Sequence, residues 1–254
     1  MCYDISVYVS PERLGEELSN LDLFVTDTEV FETHYHISAH RSASPHIPVI
    51  TASKPEKIQS FLWGLLPPWM KEYDDSWRRK MANAKAETLL EKRSYKSSAL
   101  KRHCVILATG FFEWRHIDGK AYPYFIRLKG QELFGIAGIW EYNRNLDMPS
   151  VSLITTEANP MMAKIHNKKE RMPVILDSEG IKKWIGVNPS KDASPKDLED
   201  LFYQQAEALF PFDEKKMEAH TVSKLITSRR DNPDQKAVLE PEVYYEVQKA
   251  DGEI

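Results

Sequence analysis

Apolar runs and apolar–polar alternation in the middle of the chain predict a series of β-strands. Residues 104–108 are apolar throughout, which is typical of a strand buried on both faces. Residues 122–128 alternate, and further strands are predicted at 133–140, 151–156 and 174–176. The regular spacing, with turn residues between the runs, indicates a largely antiparallel sheet or barrel-like core.

Helices are predicted on either side of these strands. Residues 82–92 are rich in Ala, Leu, Glu and Lys, and Asp177 can cap a short helix that runs to Trp184. Ser194 and Pro195 form an N-cap and N1 pair before apolar residues at helical spacing. No internal repeat or linker divides the chain, so the sequence predicts a single α+β domain whose mostly antiparallel, barrel-like core is flanked by helices.

Composition excludes several classes of protein. The 254 residues are 42% apolar and 28% charged, enough to bury a substantial core. No stretch approaches the roughly 20 consecutive apolar residues of a membrane helix, and the first residues lack the pattern of a signal peptide. Two cysteines are too few for a disulfide scaffold. A soluble, cytoplasmic protein with reduced thiols is expected.

Charge is distributed unevenly along the chain. The net charge is −4, yet residues 71–120 hold 12 Lys/Arg against 7 Asp/Glu, and residues 177–254 hold 11 against 17. A basic working face can therefore exist on an acidic protein, although a merely solvated charged surface explains the same counts. Four histidines lie within 13 residues, but the surrounding Pro and β-favouring residues predict an extended segment, so no metal site is expected at His34, His36, His40 and His46.

Cys2 is the most unusual candidate for chemistry. If Met1 is removed, the chain begins with an α-amine and a thiol on one residue, and both are partly nucleophilic near neutral pH. Such an aminothiol captures aldehydes, since the amine forms an imine and the thiol then closes a five-membered thiazolidine. The same amine could instead serve as the base for its own thiol, as in N-terminal nucleophile hydrolases. Position alone also allows Cys2 to be an ordinary second residue.

Three polar residues could assist such chemistry. Glu113 follows a buried strand among aromatic residues, where desolvation would raise its pKa and suit it to proton transfer; the alternative is an edge glutamate paired with Arg115. His166 is a possible acid/base, with Arg171 able to hold an anion nearby, although a lone His is often structural. Asn83, at the start of the predicted helix 82–92, could cap that helix or orient a substrate.

Aromatic and basic residues come together just before Asn83. Residues 63–69 read Trp-Gly-Leu-Leu-Pro-Pro-Trp, and Arg78, Arg79 and Lys80 follow. Aromatic side chains interleaved with Arg and Lys suit unstacked bases and phosphates, with packing in the core as the alternative.

Taken together, these segments resemble the SRAP (SOS-response-associated peptidase) family. The resemblance rests on an ordered set from residue 2 to about 232: Met-Cys at the start, residues 63–69, 83–88, 110–114, 134–140 and 155–159, His166, residues 171–173 and 222–223. It implies a SRAP domain over residues 1–235, followed by a C-terminal extension or tail over 236–254. The residues themselves predict a frayed end at 248–254.

The resemblance also implies a function that the residues alone left open. Members bind single-stranded DNA and crosslink abasic sites as a thiazolidine through the N-terminal cysteine. By position, Cys2 would be the nucleophile, Asn83 would orient its amine or the sugar, Glu113 would be the acid/base, and His166 would move protons at the sugar hydroxyl. Phosphates would contact Arg78, Arg79, Lys80, Lys85 and Arg171, and stacking or wedging would fall to Trp69, Trp114 and Met162. No cofactor or metal is implied.

The chain departs from the common pattern of the family at three places. Tyr3 and Asp4 follow Cys2 where members commonly have Gly-Arg, Lys85 stands where many have Arg, and His166 and Arg171 are spaced more widely than usual. Abasic single-stranded DNA is the expected partner of a monomer that is cytoplasmic and nucleoid-associated when bound. A thiol (auto)peptidase, a lyase activity and a non-catalytic single-strand binder are the alternatives.

Overall fold

The computed structural model describes residues 2–228 and 230–252. The strands described are β1 (Asp4–Val7), β2 (His34–Ser38), β3 (His46–Thr51), β4 (Lys54–Trp63), β5 (Asn83–Lys85), β6 (His103–Ala108), β7 (Gly110–Ile117), β8 (Lys120–Leu128), β9 (Phe134–Asn143), β10 (Met148–Glu157), β11 (Arg171–Pro173), β12 (Ile175–Leu176) and β13 (Met217–Thr221). The α-helices are α1 (Pro11–Asn20), α2 (Asp75–Lys80), α3 (Arg93–Lys101), α4 (Pro160–Ile165), α5 (Ser178–Ile185), α6 (Pro195–Ala206) and α7 (Tyr245–Asp251). Short 3-10 turns occupy Ala86–Thr88, Glu214–Lys216, Lys224–Thr227 and Lys236–Leu239.

The strands form two sheets. One is antiparallel throughout, in the order β13-β8-β7-β1-β2. In the other, the pairings of β4, β3, β6, β9 and β10 close a ring, to which β5, β11 and β12 are attached. The pairs β10–β4 and β10–β5 are parallel. The predicted α+β class and mostly antiparallel core are confirmed, although the additional strands make the core more complex than a simple closed barrel.

The ring buries both of its faces, as the apolar run 104–108 predicts. Cys104 and Ile106 of β6 point into a core shared with Phe111 and Ile126 of the first sheet. The alternate residue Val105 packs into a second core. Helices α3, α5 and α6 cover that side of the ring. Strand alternation thus divides one apolar segment between two cores.

Local capping signals are confirmed where the sequence places them. The Asp177 side chain accepts a hydrogen bond from Gly180 N at the start of α5. Ser194 forms a capping box with Asp197, and Pro195 is the first residue of α6. These contacts satisfy backbone N–H groups that have no partner within the helix.

Two local predictions are wrong. Residues 82–92 do not form a helix, because Asn83–Lys85 pair with β10 as strand β5 and Ala86–Thr88 form a 3-10 turn. Residues 248–252 are not frayed, because α7 packs against β7 and its Asp251 accepts from Arg115 at 2.8 Å. The remaining residues of the predicted tail, 253 and 254, lie outside the described range. Among the described helices, none is both long and apolar enough to cross a bilayer.

Candidate active site

Strand β1 carries the start of the chain alongside β7. Ile5 is paired with Phe111 and Ser6 with Gly110, so the residues before Ile5 run toward Phe112 and Glu113. Cys2 is completely buried, and its Sγ lies 3.8 Å from the carbonyl oxygen of Asp4, to which the thiol can donate. Antiparallel register therefore brings the candidate nucleophile and the candidate acid together. The predicted removal of Met1 concerns a residue outside the described range.

Glu113 is almost fully buried among aromatic residues, with 4% of its surface exposed. Burial, reinforced by the negative charge of Asp4, raises the pKa of the Glu113 carboxyl to about 7. A carboxyl group with this pKa can both release and accept a proton near neutral pH. Arg115, the alternative partner weighed from sequence, donates instead to Asp251.

His166 reaches Glu113 from the end of α4, which packs against β7. Its Nδ1 lies 2.8 Å from the Arg171 carbonyl oxygen and 3.7 Å from Glu113 Oε1. Burial lowers the pKa of His166 to about 4, so the ring is neutral at pH 7. With the Nδ1 proton directed at the carbonyl, Nε2 is the basic nitrogen.

Asn83 enters the site from β5, held by parallel pairing with β10. The Tyr95 hydroxyl donates to its backbone oxygen at 3.0 Å. Asn83 is 6% exposed, and neither side-chain amide atom has a hydrogen-bond partner among the described residues. A buried amide without partners costs stability, and such groups commonly mark places where a ligand binds.

The thiol of Cys2 is not ionised in this environment. Burial, with the nearby Glu113 and Asp4 carboxyls, raises the pKa of Cys2 well above its usual range. The cluster can therefore supply a neutral thiol, a carboxyl that titrates near pH 7 and a neutral imidazole. It is suited to stepwise proton transfer rather than to attack by a preformed thiolate.

The predicted contacts to DNA separate into exposed and buried residues. Lys80 and Lys85 are exposed, Arg79 is about half exposed and Trp114 is partly buried. Trp69 is 44% exposed, and the Arg93 guanidinium lies 5.2 Å from the centre of its ring. Sequence reasoning missed Arg93, which lies outside the aromatic motif.

Three of the residues predicted to contact DNA are buried in the structure. Arg78 has no exposed surface, and its Nη1 donates to the carbonyl oxygens of Ala39 and Trp63. Met162 is completely buried in the core. Arg171 donates twice to the Glu87 carboxylate, at 2.7 and 2.9 Å, and once to Thr155 O. Arg78 and Met162 thus pack inside the protein, and their predicted contacts with DNA stay predictions.

The aromatic segment, residues 63–69, can wrap around Arg78 because it contains Gly64. Its φ of +123° is in the region that favours glycine, and a Cβ there would lie 2.3 Å from the Arg78 carbonyl oxygen. The loop can therefore pass directly over the arginine backbone. The buried guanidinium then fixes the loop by donating hydrogen bonds to the carbonyl oxygens of Ala39 and Trp63.

A cavity of about 1350 Å³ opens beside strands β2 and β3. Its wall includes the four clustered histidines, together with Arg41, Arg79 and residues 231–234. The histidines are His34, His36, His40 and His46. His36 belongs both to its wall and to the surroundings of Cys2, because His36 Nε2 lies 2.8 Å from Asp4 Oδ1. Sequence reasoning considered His36 only as a metal ligand and missed this contact.

The chain is similar in sequence to known proteins over most of its length. The sequence model described as "SOS response associated peptidase (SRAP)" matches residues 1–229. The abasic site processing protein YoqW of Bacillus subtilis (strain 168) is 35% identical over 237 residues, covering 91% of this chain and 96% of YoqW. The abasic site processing protein HMCES of Xenopus tropicalis is 32% identical over 194 residues, covering 63% of this chain and 57% of HMCES.

The fold is shared with a solved structure. A crystal structure of a protein from Bacteroides thetaiotaomicron matches with a TM-score of 0.76 and 28% sequence identity, covering 95% of this chain and 100% of that one. The similarity thus extends over both sheets and their flanking helices.

Proposed function

The chain belongs to the SOS response associated peptidase (SRAP) family, and from that membership and the geometry of the site we propose that it binds single-stranded DNA and crosslinks abasic sites through Cys2. The observation that carries the proposal is the burial of Glu113 and His166 together beside the start of the chain. Relatives over most of the chain are named abasic site processing proteins, which supports DNA lesions as the substrate.

The proposed reaction begins once hydrolysis has removed Met1 and released the Cys2 amine. The amine adds to the aldehyde of the ring-opened deoxyribose, and loss of water gives an imine. The thiol then adds to the imine carbon while its proton passes to the nitrogen, closing a thiazolidine. One water is released overall, and no oxidant or reductant is consumed. Because the thiol is protonated, the amine acts first.

Each buried polar residue has a role in this sequence. Glu113, with its pKa near 7, protonates the departing hydroxyl during imine formation and passes the thiol proton on to the nitrogen during closure. His166 moves protons at the sugar hydroxyl through its basic nitrogen. The Asn83 amide, which has no partner among the described residues, orients the amine or the sugar.

Affinity for DNA is proposed to come from residues that keep exposed or partly exposed surface: Trp69, Arg79, Lys80, Lys85 and Trp114. The cations would contact phosphates, and the indoles would stack beside the missing base. Arg171, by contrast, is proposed to hold the Asn83 and His166 segments together, since it binds Glu87 through its side chain and His166 through its carbonyl oxygen.

Intact mass and denaturing electrophoresis test the proposal with a single-stranded oligonucleotide whose uracil has been excised. We expect loss of Met1, and an adduct that weighs the protein plus the oligonucleotide minus one water. Cys2→Ala should abolish the heat-stable adduct, while Cys104→Ala, which removes the other buried thiol, should retain it.

Cys2→Ser sharpens the same experiment, because it keeps the terminal amine but cannot close the thiazolidine. It should give an adduct only after reduction with borohydride. A heat-stable adduct in Cys2→Ala, or none with a wild-type protein that has lost Met1, would contradict the proposal. Peptide cleavage that depends on Cys2 without any adduct would favour the peptidase.

A further inference from the structure

The contact between the candidate acid and the candidate base is too long to hold their two segments together by itself. His166 Nδ1 and Glu113 Oε1 are 3.7 Å apart, beyond the range of a hydrogen bond, while the same Nδ1 lies 2.8 Å from the Arg171 carbonyl oxygen. The Arg171 contact orients the ring within its own segment but does not set its distance from β7. Other contacts between α4 and β7 therefore fix how far His166 lies from Glu113.

The first such contact is made by Asn167, the residue directly after His166. Its side-chain amide pairs with both backbone groups of His116 in β7: His116 N donates to Asn167 Oδ1 at 3.0 Å, and Asn167 Nδ2 donates to His116 O at 2.8 Å. The Asn side chain offers a donor and an acceptor, as a peptide group does, so Asn167 binds β7 as a neighbouring strand would. This pairing anchors the end of α4 to β7.

The second contact comes from Asp251 in the C-terminal helix α7, beyond residues 1–229 that the family model matches. Its Oδ1 lies 2.8 Å from Arg115 Nη1 in β7 and 2.7 Å from Lys164 Nζ in α4. Although burial raises it, the hydrogen bonds and charges of Lys164 and Arg115 hold the pKa of the Asp251 carboxyl below its usual range. The carboxylate is thus charged at neutral pH, and one of its oxygens joins α4 to β7.

Both clamps lie close to the reactive pair along the chain. Arg115 follows Glu113 by two positions, and the register of β7 with β8 is continuous there, so the two side chains leave the same face of β7. Lys164 and Asn167 stand on either side of His166 at the end of α4. The two clamps therefore join the same two segments that the acid and the base occupy.

We propose that Asn167 and Asp251 are positioning residues that clamp α4 to β7 and thereby hold His166 at its working distance from Glu113. The inference rests on the proposed function. A displacement of about 1 Å caused by a substitution outside the reacting groups can cost about 100-fold in rate, so the spacing of an acid and a base has to be fixed. Both residues act through His166 rather than on the substrate.

Titration of the His166 ring in the free protein tests the Asn167 clamp without DNA. Histidine ring ¹⁵N shifts are followed against pH in the full-length wild type and in Asn167→Ala, which changes no charge. The control is Asn188→Ala, whose lost amide donates to the carbonyl oxygen of Ala52 instead. Because burial lowers the pKa of His166 to about 4, loosening α4 should raise it by about 1 pH unit in Asn167→Ala and leave it unchanged in the control. An unchanged pKa in folded Asn167→Ala would overturn the role of Asn167.

The rate of adduct formation tests the Asp251 clamp, in single turnover at saturating DNA so that a change in affinity does not enter. We expect Asp251→Ala to slow the reaction by about 10-fold. Asp251→Asn, whose side-chain oxygen can still accept from Arg115 and Lys164, should retain most of the rate. Glu246→Gln is the matched control and should react at the wild-type rate, because Glu246 also forms an ion pair from α7, but with Lys120 of β8.

The outcomes separate the two proposals. A wild-type protein without Met1 that forms no adduct contradicts the proposed function, and the His166 titration still decides the inference. If Asn167→Ala and Asp251→Ala lower the melting temperature while the His166 pKa and the saturated rate keep their wild-type values, the clamps serve only stability and the positioning role is wrong.

Discussion

The two cysteines of the chain are equally buried yet lie in different chemical surroundings. Cys104 sits in the middle of β6, fully buried, and burial alone raises the pKa of its thiol. Cys2 is also fully buried, but Glu113 and Asp4 add to the effect of burial on its pKa. Accessibility and thiol pKa therefore do not distinguish a core cysteine from a candidate nucleophile. The neighbouring acid and base groups do.

The difference arises from where each strand lies. β6 belongs to the closed ring and is covered on both sides by apolar cores. The pKa of the Cys104 thiol is therefore raised by burial. β1 lies in the other sheet, where β7 supplies Glu113 and β2 supplies His36. A site for proton transfer forms where an apolar core meets a few convergent polar side chains.

Removing the carboxyl group of Glu113 should produce the largest effect. Glu113→Gln keeps the volume of the side chain but cannot transfer a proton, so we expect the rate of adduct formation to fall about 100-fold. Single-turnover kinetics with abasic single-stranded DNA measure this change. Cys104→Ala is the matched control and should react at the wild-type rate. A Glu113→Gln protein with the wild-type rate would show that burial of Cys2 alone suffices.

Crowding the other cysteine should affect stability and leave the chemistry unchanged. A Cβ at Gly138 would lie 2.9 Å from Cys104 Sγ and 3.0 Å from Ile106 Cδ1. Gly138→Ala should therefore lower the free energy of unfolding by about 1–3 kcal/mol, as overpacking of a core does. Urea unfolding measures this loss, and the double variant Gly138→Ala/Cys104→Ala should recover part of it. A loss of equal size in both backgrounds would contradict the proposed clash with sulfur.

Acid should destabilise the protein partly through His166, the histidine beside Glu113. The pKa of His166 is about 4 in the folded protein and near 6.5 when unfolded, so the unfolded state binds more protons between these values. Stability is thus fully present above pH 6.5 and is lost as the pH falls toward 4, by up to about 1 kcal/mol per pH unit. Urea unfolding from pH 7 to 5 should show a smaller loss for His166→Gln. Parallel curves for the two proteins would contradict a neutral buried His166.

Local sequence signals predicted the elements that depend on nearby residues. The apolar run 104–108 became β6, and Asp177 and Ser194 cap the helices that follow them. The α+β class and the candidate residues Cys2, Glu113 and His166 also came from the sequence, the last three with help from the resemblance to a family. These features are set by side-chain chemistry and periodicity over a few residues.

Long-range pairing decided the rest. Residues 82–92 favour a helix by composition, but hydrogen bonds to β10 make Asn83–Lys85 a strand and direct Asn83 into the site. Arg78 reads as part of a basic surface, and only the folded loop around Gly64 buries it. The contact between Asp4 and His36 spans 32 residues and exists because β1 pairs with β2. Propensity and charge act locally, whereas burial and the partners of a buried polar group are set by strand register, which the tertiary structure determines.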